Sequence, residues 1–140
     1  MIVDSLETAA LWSDIADLYA NVRGAIARAV DPSGRAIVFC HISHAYATGA
    51  SLYFTFLAPG GDDALARWSA TKRAALDAIV ANRGVVSHHH GVGRDHREWL
   101  TKRYGSATRI VDAIAAAFDP GRMLAANRSG PVRTTPAAAR

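Results

Sequence analysis

The stretch Ala36–Leu57, "AIVFCHISHAYATGASLYFTFL", decides the fold. Two runs rich in β-branched and aromatic residues, "AIVFCHISHAY" and "SLYFTFL", flank the turn candidate "ATGA" at Ala47–Ala50, and that pattern reads as a β-hairpin. Side chains alternate along a strand, so Tyr53 and Thr55 are expected on one face and Leu52 and Phe54 on the other. By the same rule His41 and His44 are expected on opposite faces, where they cannot both serve one centre.

Upstream of the hairpin, "DPSG" at Asp31–Gly34 is a stop signal, because a proline disfavours helix in the residue before it. Before that stop, Ile15, Leu18, Tyr19, Val22, Ile26 and Val30 recur at helical spacing, with Ser13 as the expected cap, after a short apolar start at Met1–Val3. Downstream, "APGGDD" breaks the strand pattern, and Leu65, Trp68, Ser69, Lys72, Leu76, Ile79 and Val80 trace a second amphipathic helix. Asp62 or Asp63 is its expected cap, and Asn82-Arg83-Gly84 its end. Val85–Ser87 then reads as a short strand. Two further helical stretches follow, "RDHREWLTKRY" and the stripe Ile110, Val111, Ile114 and Phe118, separated by Gly105-Ser106. Trp12, Trp68 and Trp99 are expected as core anchors.

This order predicts an α+β fold: the antiparallel sheet of a ferredoxin-like split βαβ unit, with helices on one face and C-terminal helical additions. The second sheet face then calls for a ligand, another domain or a second copy of the chain, that is, a homodimer. Residues 129–140, "SGPVRTTPAAAR" from Ser129, lack apolar periodicity and are expected as a disordered tail.

Bulk properties narrow the function. The chain has 140 residues, the size of one ordinary domain, and a formal charge of +4 without a concentrated basic face, so no nucleic-acid partner is expected. A single cysteine, Cys40, in an apolar run suits a reducing compartment. No signal-peptide pattern opens the sequence and no window is long enough to span a bilayer, which predicts a cytoplasmic protein.

The chemistry concentrates in "SHHHGVG", Ser87–Gly93. In an extended segment His88 and His90 would share one side and His89 the other. Adjacent imidazoles raise the cost of charging each other, so at least one is expected neutral, able to accept a proton or bind a metal. Gly91 and Gly93 would let main-chain N–H groups approach a bound anion. A zinc site is the rival use of such residues, but adjacent histidines rarely all reach one ion. Tyr53, taken by itself, reads as an ordinary sheet tyrosine.

Taken together, "VDSLETAALW", "CHISHAYATGASLYFTF", "VVSHHHGVGRDHREWL" and "FDPGRMLAANR" resemble the C-terminal part of FAD-linked oxidases of the vanillyl-alcohol-oxidase type, and within them the alkyldihydroxyacetonephosphate synthase group. The likeness covers residues 1–128. It implies a cap over a flavin held by a larger FAD-binding domain, or by a separate subunit. It also implies that Tyr53 is an acid/base group, that His88, His89 and His90 line the pocket, and that Asn127 and Arg128 contact the FAD. A phenol ordinarily has a pKa of about 10, so a neighbouring cation would have to lower it for use as a base. The substrate implied is a lipid phosphate, in an exchange of ester for ether with no net redox change, or a small-molecule hydroxy acid. The "HHH" run lacks the glutamate of the hydroxy-acid relatives, some of which use a metal, so no metal is expected here. A complete enzyme of this kind needs roughly three hundred further residues, two more domains of common size. The chain alone is therefore expected to be inactive. The alternative is a stand-alone histidine-rich metal-binding or dimeric module.

Overall fold

A computed structural model describes residues 1–121, 123 and 124. The described residues divide into two compact units, residues 1–91 and those from Val92 onward.

The first unit begins with β1 (Ile2–Leu11) and α1 (Trp12–Val30), continues through the hairpin β2 (Ile37–Ala45) and β3 (Gly49–Ala58), and closes with α2 (Ala64–Ala81). The three strands form one antiparallel sheet in the order β1-β3-β2. With α1 crossing from β1 to β2 and β3 threaded between them, this is the split βαβ arrangement.

One face of the sheet is the core. Leu6 lies opposite Phe54, and Val38 opposite Phe56, and directly opposed residues share a face. Phe54 and Phe56 are fully buried with Leu18, Val22, Ile26 and Val30, four residues of α1 spaced one turn apart. Leu76 and Ile79 of α2 complete this layer. Burying side chains of this size stabilises by about 1.5–3 kcal/mol each. On the same side Trp68 of α2 donates its indole N–H to Asp4 of β1 at 2.8 Å, and Lys72 pairs with that carboxylate at 3.1 Å.

Several expectations change. The apolar start is the beginning of a ten-residue strand, and α1 starts directly after it at Trp12, with Leu11 rather than Ser13 in the cap position. Trp12 is 46% exposed and Trp68 half-buried, so of the three tryptophans only Trp99 is fully enclosed. Asp63 does occupy the cap position of α2, but its carboxylate holds Arg67 at 3.0 Å instead of a backbone N–H.

The turn Asn82–Gly84 ends α2 as expected, with Arg83 in the left-handed region at φ 60°. Gly84 packs too closely for any side chain: an added Cβ would sit 2.7 Å from Thr8 Oγ1 and 2.9 Å from Ile79 Cγ2. That approach brings the next residues alongside β1. Val85 donates its N–H to the Ala9 carbonyl at 2.9 Å and accepts from Thr8 Oγ1 at 2.8 Å. Residues 85–87 nevertheless form no strand, because this contact is not repeated and the chain bends at once into the histidines.

The second unit, as far as it is described, contains a 3-10 turn (Arg94–His96), α3 (Arg97–Tyr104), a second 3-10 turn (Gly105–Ala107) and α4 (Thr108–Phe118). Gly105, at φ 54°, separates the two helices where the sequence places the break. Asn127, Arg128 and the tail 129–140 lie outside the described residues.

Candidate functional site

The sheet face turned away from α1 and α2 gathers the chemistry. Strand alternation and register put Ser5, Glu7 and Ala9 of β1, Ser51, Tyr53 and Thr55 of β3, and Phe39 and His41 of β2 on that face, with Tyr53 directly opposite both Glu7 and His41. The Tyr53 and His41 rings are 5.3 Å apart, and the Tyr53 hydroxyl shares a hydrogen bond of 2.9 Å with Ser5 Oγ.

His44 joins His41 on this face, against the strand-parity expectation. A β-bulge between Ile42 and His44 places His44, rather than Ser43, in register with Ser51, since one extra residue reverses the alternation beyond it. Ser43 and Ser51 close the bulge with a hydroxyl–hydroxyl bond of 2.6 Å, and His44 Nδ1 lies 3.3 Å from each hydroxyl.

Glu7 organises the triplet, and the sequence reading missed it. Its Oε1 accepts the backbone N–H groups of His88, His89 and His90 at 3.1, 3.2 and 3.3 Å. His90 Nδ1 lies 3.2 Å from the same oxygen. The residue is only 5% exposed, and its Oε2 is buried without a hydrogen bond, with His89 Nδ1 3.8 Å away. Burial pushes the Glu7 pKa up, but the three N–H bonds and the His90 imidazole outweigh it and hold the carboxyl below its ordinary 4.5. The N–H groups do converge on an anion, as the Gly-rich context suggests, but the anion is internal and the donors are the histidines themselves. A polar residue in a strand centre, facing the unfilled side of the sheet, was the signal available in "SLETA".

The alternation expected for the triplet gives way to a cluster. Because the segment is bent, the His88 and His89 rings are 4.7 Å apart and those of His89 and His90 4.1 Å, both edge-on. His44 packs 5.2 Å from His88 and 5.3 Å from His89. The Nδ1 atoms of His88 and His89 are 2.7 Å apart, so one carries the shared proton and the other is bare. Metal-ligating atoms converge twice among the described residues, in His44, His88 and His89 and in Glu7, His89 and His90, each set within 4.8 Å.

Farther along the same face the chemistry changes. Val3, Ile37 and Phe39 expose apolar side chains there, so a polar, imidazole-rich end grades into a greasy one. Cys40 faces the core side, where burial pushes its thiol up to about 11, an inert state.

The fold and the site together define an α+β domain built on a split βαβ sheet, with one face packed by helices and acid/base side chains gathered on the other. The chain belongs to the family described as FAD linked oxidases, C-terminal domain, which it matches over residues 1–128. It is 34% identical over 122 residues to an alkyldihydroxyacetonephosphate synthase of Trypanosoma brucei brucei, with 84% of this chain and 20% of that protein covered. It is 30% identical over 128 residues to one of Caenorhabditis elegans, covering 87% and 21% respectively. The fold is that of a solved alkyldihydroxyacetonephosphate synthase structure, with a TM-score of 0.57 at 23% identity over 84% of this chain and 19% of that one. The chain thus spans about a fifth of the length of the relatives it matches. No described helix is long and apolar enough to cross a membrane.

Proposed function

We propose that this chain supplies the substrate wall of a flavin-dependent site whose FAD is held mainly by another domain or subunit. The observation that carries the reading is the common face of Tyr53, Glu7, His41, His44 and the triplet, on the side of the sheet turned away from α1 and α2. The face fits a flavin in part. The Tyr53, His41 and Phe39 rings offer aromatic surface for a planar ring system, whereas the convergent N–H groups that could hold a pyrophosphate are taken by Glu7. The anionic tail of the cofactor therefore needs donors from elsewhere.

Bound FAD would supply an electron-accepting ring beside the substrate. The chain's own residues would do the rest. Tyr53 would hold and move a proton at its hydroxyl, with the Ser5 hydroxyl orienting it and the imidazole of His41 beside it. His88, His89 and His90 would bind a phosphate or carboxylate head at the polar end. The apolar end, Val3, Ile37 and Phe39, would take an alkyl chain or exclude water. That gradient favours a lipid phosphate over a small hydroxy acid.

The test is a chimaera in which this chain replaces the matching C-terminal segment of the Trypanosoma brucei brucei relative. It is expected to retain FAD and to form alkyldihydroxyacetone phosphate, with Tyr53→Phe lowering kcat at least about a hundredfold, the usual weight of a general acid or base. A chimaera that turns over equally well with phenylalanine there would sink the role given to Tyr53. The convergence of His44, His88 and His89 favours a second reading, a bound divalent cation. Stoichiometric zinc retained after dialysis and lost in His44→Ala would support it.

A further inference from the structure

Tyr46 was not singled out by the sequence. It lies in the turn between β2 and β3 and is 48% exposed. Its hydroxyl is 2.8 Å from His88 Nε2, and the other nitrogen of that ring, Nδ1, is 2.7 Å from His89 Nδ1. Phenol and two imidazoles thus form one unbroken hydrogen-bonded chain.

Both ends of this chain are built in. The Tyr46 backbone is tied by its N–H to the Gly49 carbonyl at 2.8 Å and by its carbonyl to the Trp12 indole N–H at 3.0 Å, while Trp12 N donates to the Thr48 carbonyl at 3.2 Å. Exposed Trp12 therefore has a task outside the core: it clamps the turn that carries Tyr46. At the other end Glu7 fixes the His88 and His89 backbone. His44 fills the angle between, its ring parallel to that of Tyr46 at 6.2 Å and close to both imidazoles.

We propose that Tyr46 is a positioning and proton-relay residue, linked through His88 to His89 so that a proton passes between solvent and the uncovered sheet face. The proposal rests on the triplet belonging to the substrate wall. Two proton orders satisfy every contact. In one, Tyr46 donates to His88 Nε2, His88 Nδ1–H donates to His89 Nδ1, and His89 carries its second proton on Nε2. In the other, His89 Nδ1–H donates to His88 Nδ1 and His88 Nε2–H donates to the Tyr46 oxygen. Starting from the first, His89 releases its Nε2 proton to a substrate, takes the His88 Nδ1 proton on its own Nδ1, and His88 takes the phenol proton on Nε2. Solvent water then reprotonates the exposed phenolate. One proton is delivered, both rings exchange tautomers, and neither imidazole ends charged. Glu7 Oε2, 3.8 Å from His89 Nδ1, favours a proton arriving at that nitrogen.

The test is imidazole ¹⁵N NMR on the full chain at a pH where the rings are neutral. His88 and His89 are expected as opposite tautomers, with a scalar coupling across the Nδ1–Nδ1 bond. In Tyr46→Phe the His88 nitrogen shifts are expected to move toward the average of the two tautomers while the backbone amide spectrum keeps its dispersion. Two rings in the same tautomer, no coupling, or unchanged shifts in the folded variant would overturn the relay. The wild-type coupling decides the matter even if the variant fails to fold. An inactive flavin chimaera would instead overturn the proposed function and leave the tautomer pattern standing.

Discussion

A single carboxylate oxygen holds three consecutive backbone N–H groups at Glu7 and so fixes the backbone from which the three rings of the triplet project. Hydrogen bonds to a charged group contribute about 1.5–3 kcal/mol each where they are well made, so neutralising Glu7 is expected to be costly. The sign follows from the depressed pKa. Its contribution is fully present above the ordinary value of 4.5 and is lost as pH falls through the lower folded value. Glu7→Gln is therefore expected to be less stable than the native chain at neutral pH, and the gap between the two denaturant midpoints should close as the medium is acidified below 4.5. A gap independent of pH would contradict a charged Glu7. At this scale the histidine triplet stood out because three adjacent imidazoles are chemically conspicuous, whereas Tyr53 by itself read as an ordinary sheet tyrosine and was singled out only through the resemblance. Glu7 was not, because its importance comes from three donors that are eighty-odd positions away in the chain.

Among the elements, the hairpin and both long helices were legible from their periods, and the sheet order followed from them. What failed was local geometry set by one residue. Strand parity set His41 and His44 on opposite faces, and the bulge at Ser43 brought them to one; nothing in "CHISHAY" announces an extra residue in a ladder. The triplet was read as extended, yet among the described residues only Val85 donates to a backbone carbonyl of β1, and the histidines that follow turn onto the Glu7 side chain instead. Deleting Ser43 is expected to regularise β2 with His44 still opposite Ser51, because the ladder then needs no bulge. The variant should fold and keep the His44–His88 ring contact, observable as cross-relaxation between their ring protons. Loss of that contact in a folded variant would contradict the bulge as the device that aims His44.

For the whole molecule, composition and order were enough to indicate a sheet with helices on one face, and the resemblance supplied the proposal for what meets the other. Neither could say how the polar groups would be linked, since that depends on register, a bulge and a bend. The account turns on one face of β3 meeting the imidazoles while the other meets α1. Nuclear Overhauser spectroscopy on the full chain reads both faces at once. Contacts are expected between the rings of His41 and Tyr53 and of His44 and His88, alongside those of Tyr19 with Phe54 on the core side. Tyr19–Phe54 contacts without either histidine pair would mean that the fold stands while the site does not assemble.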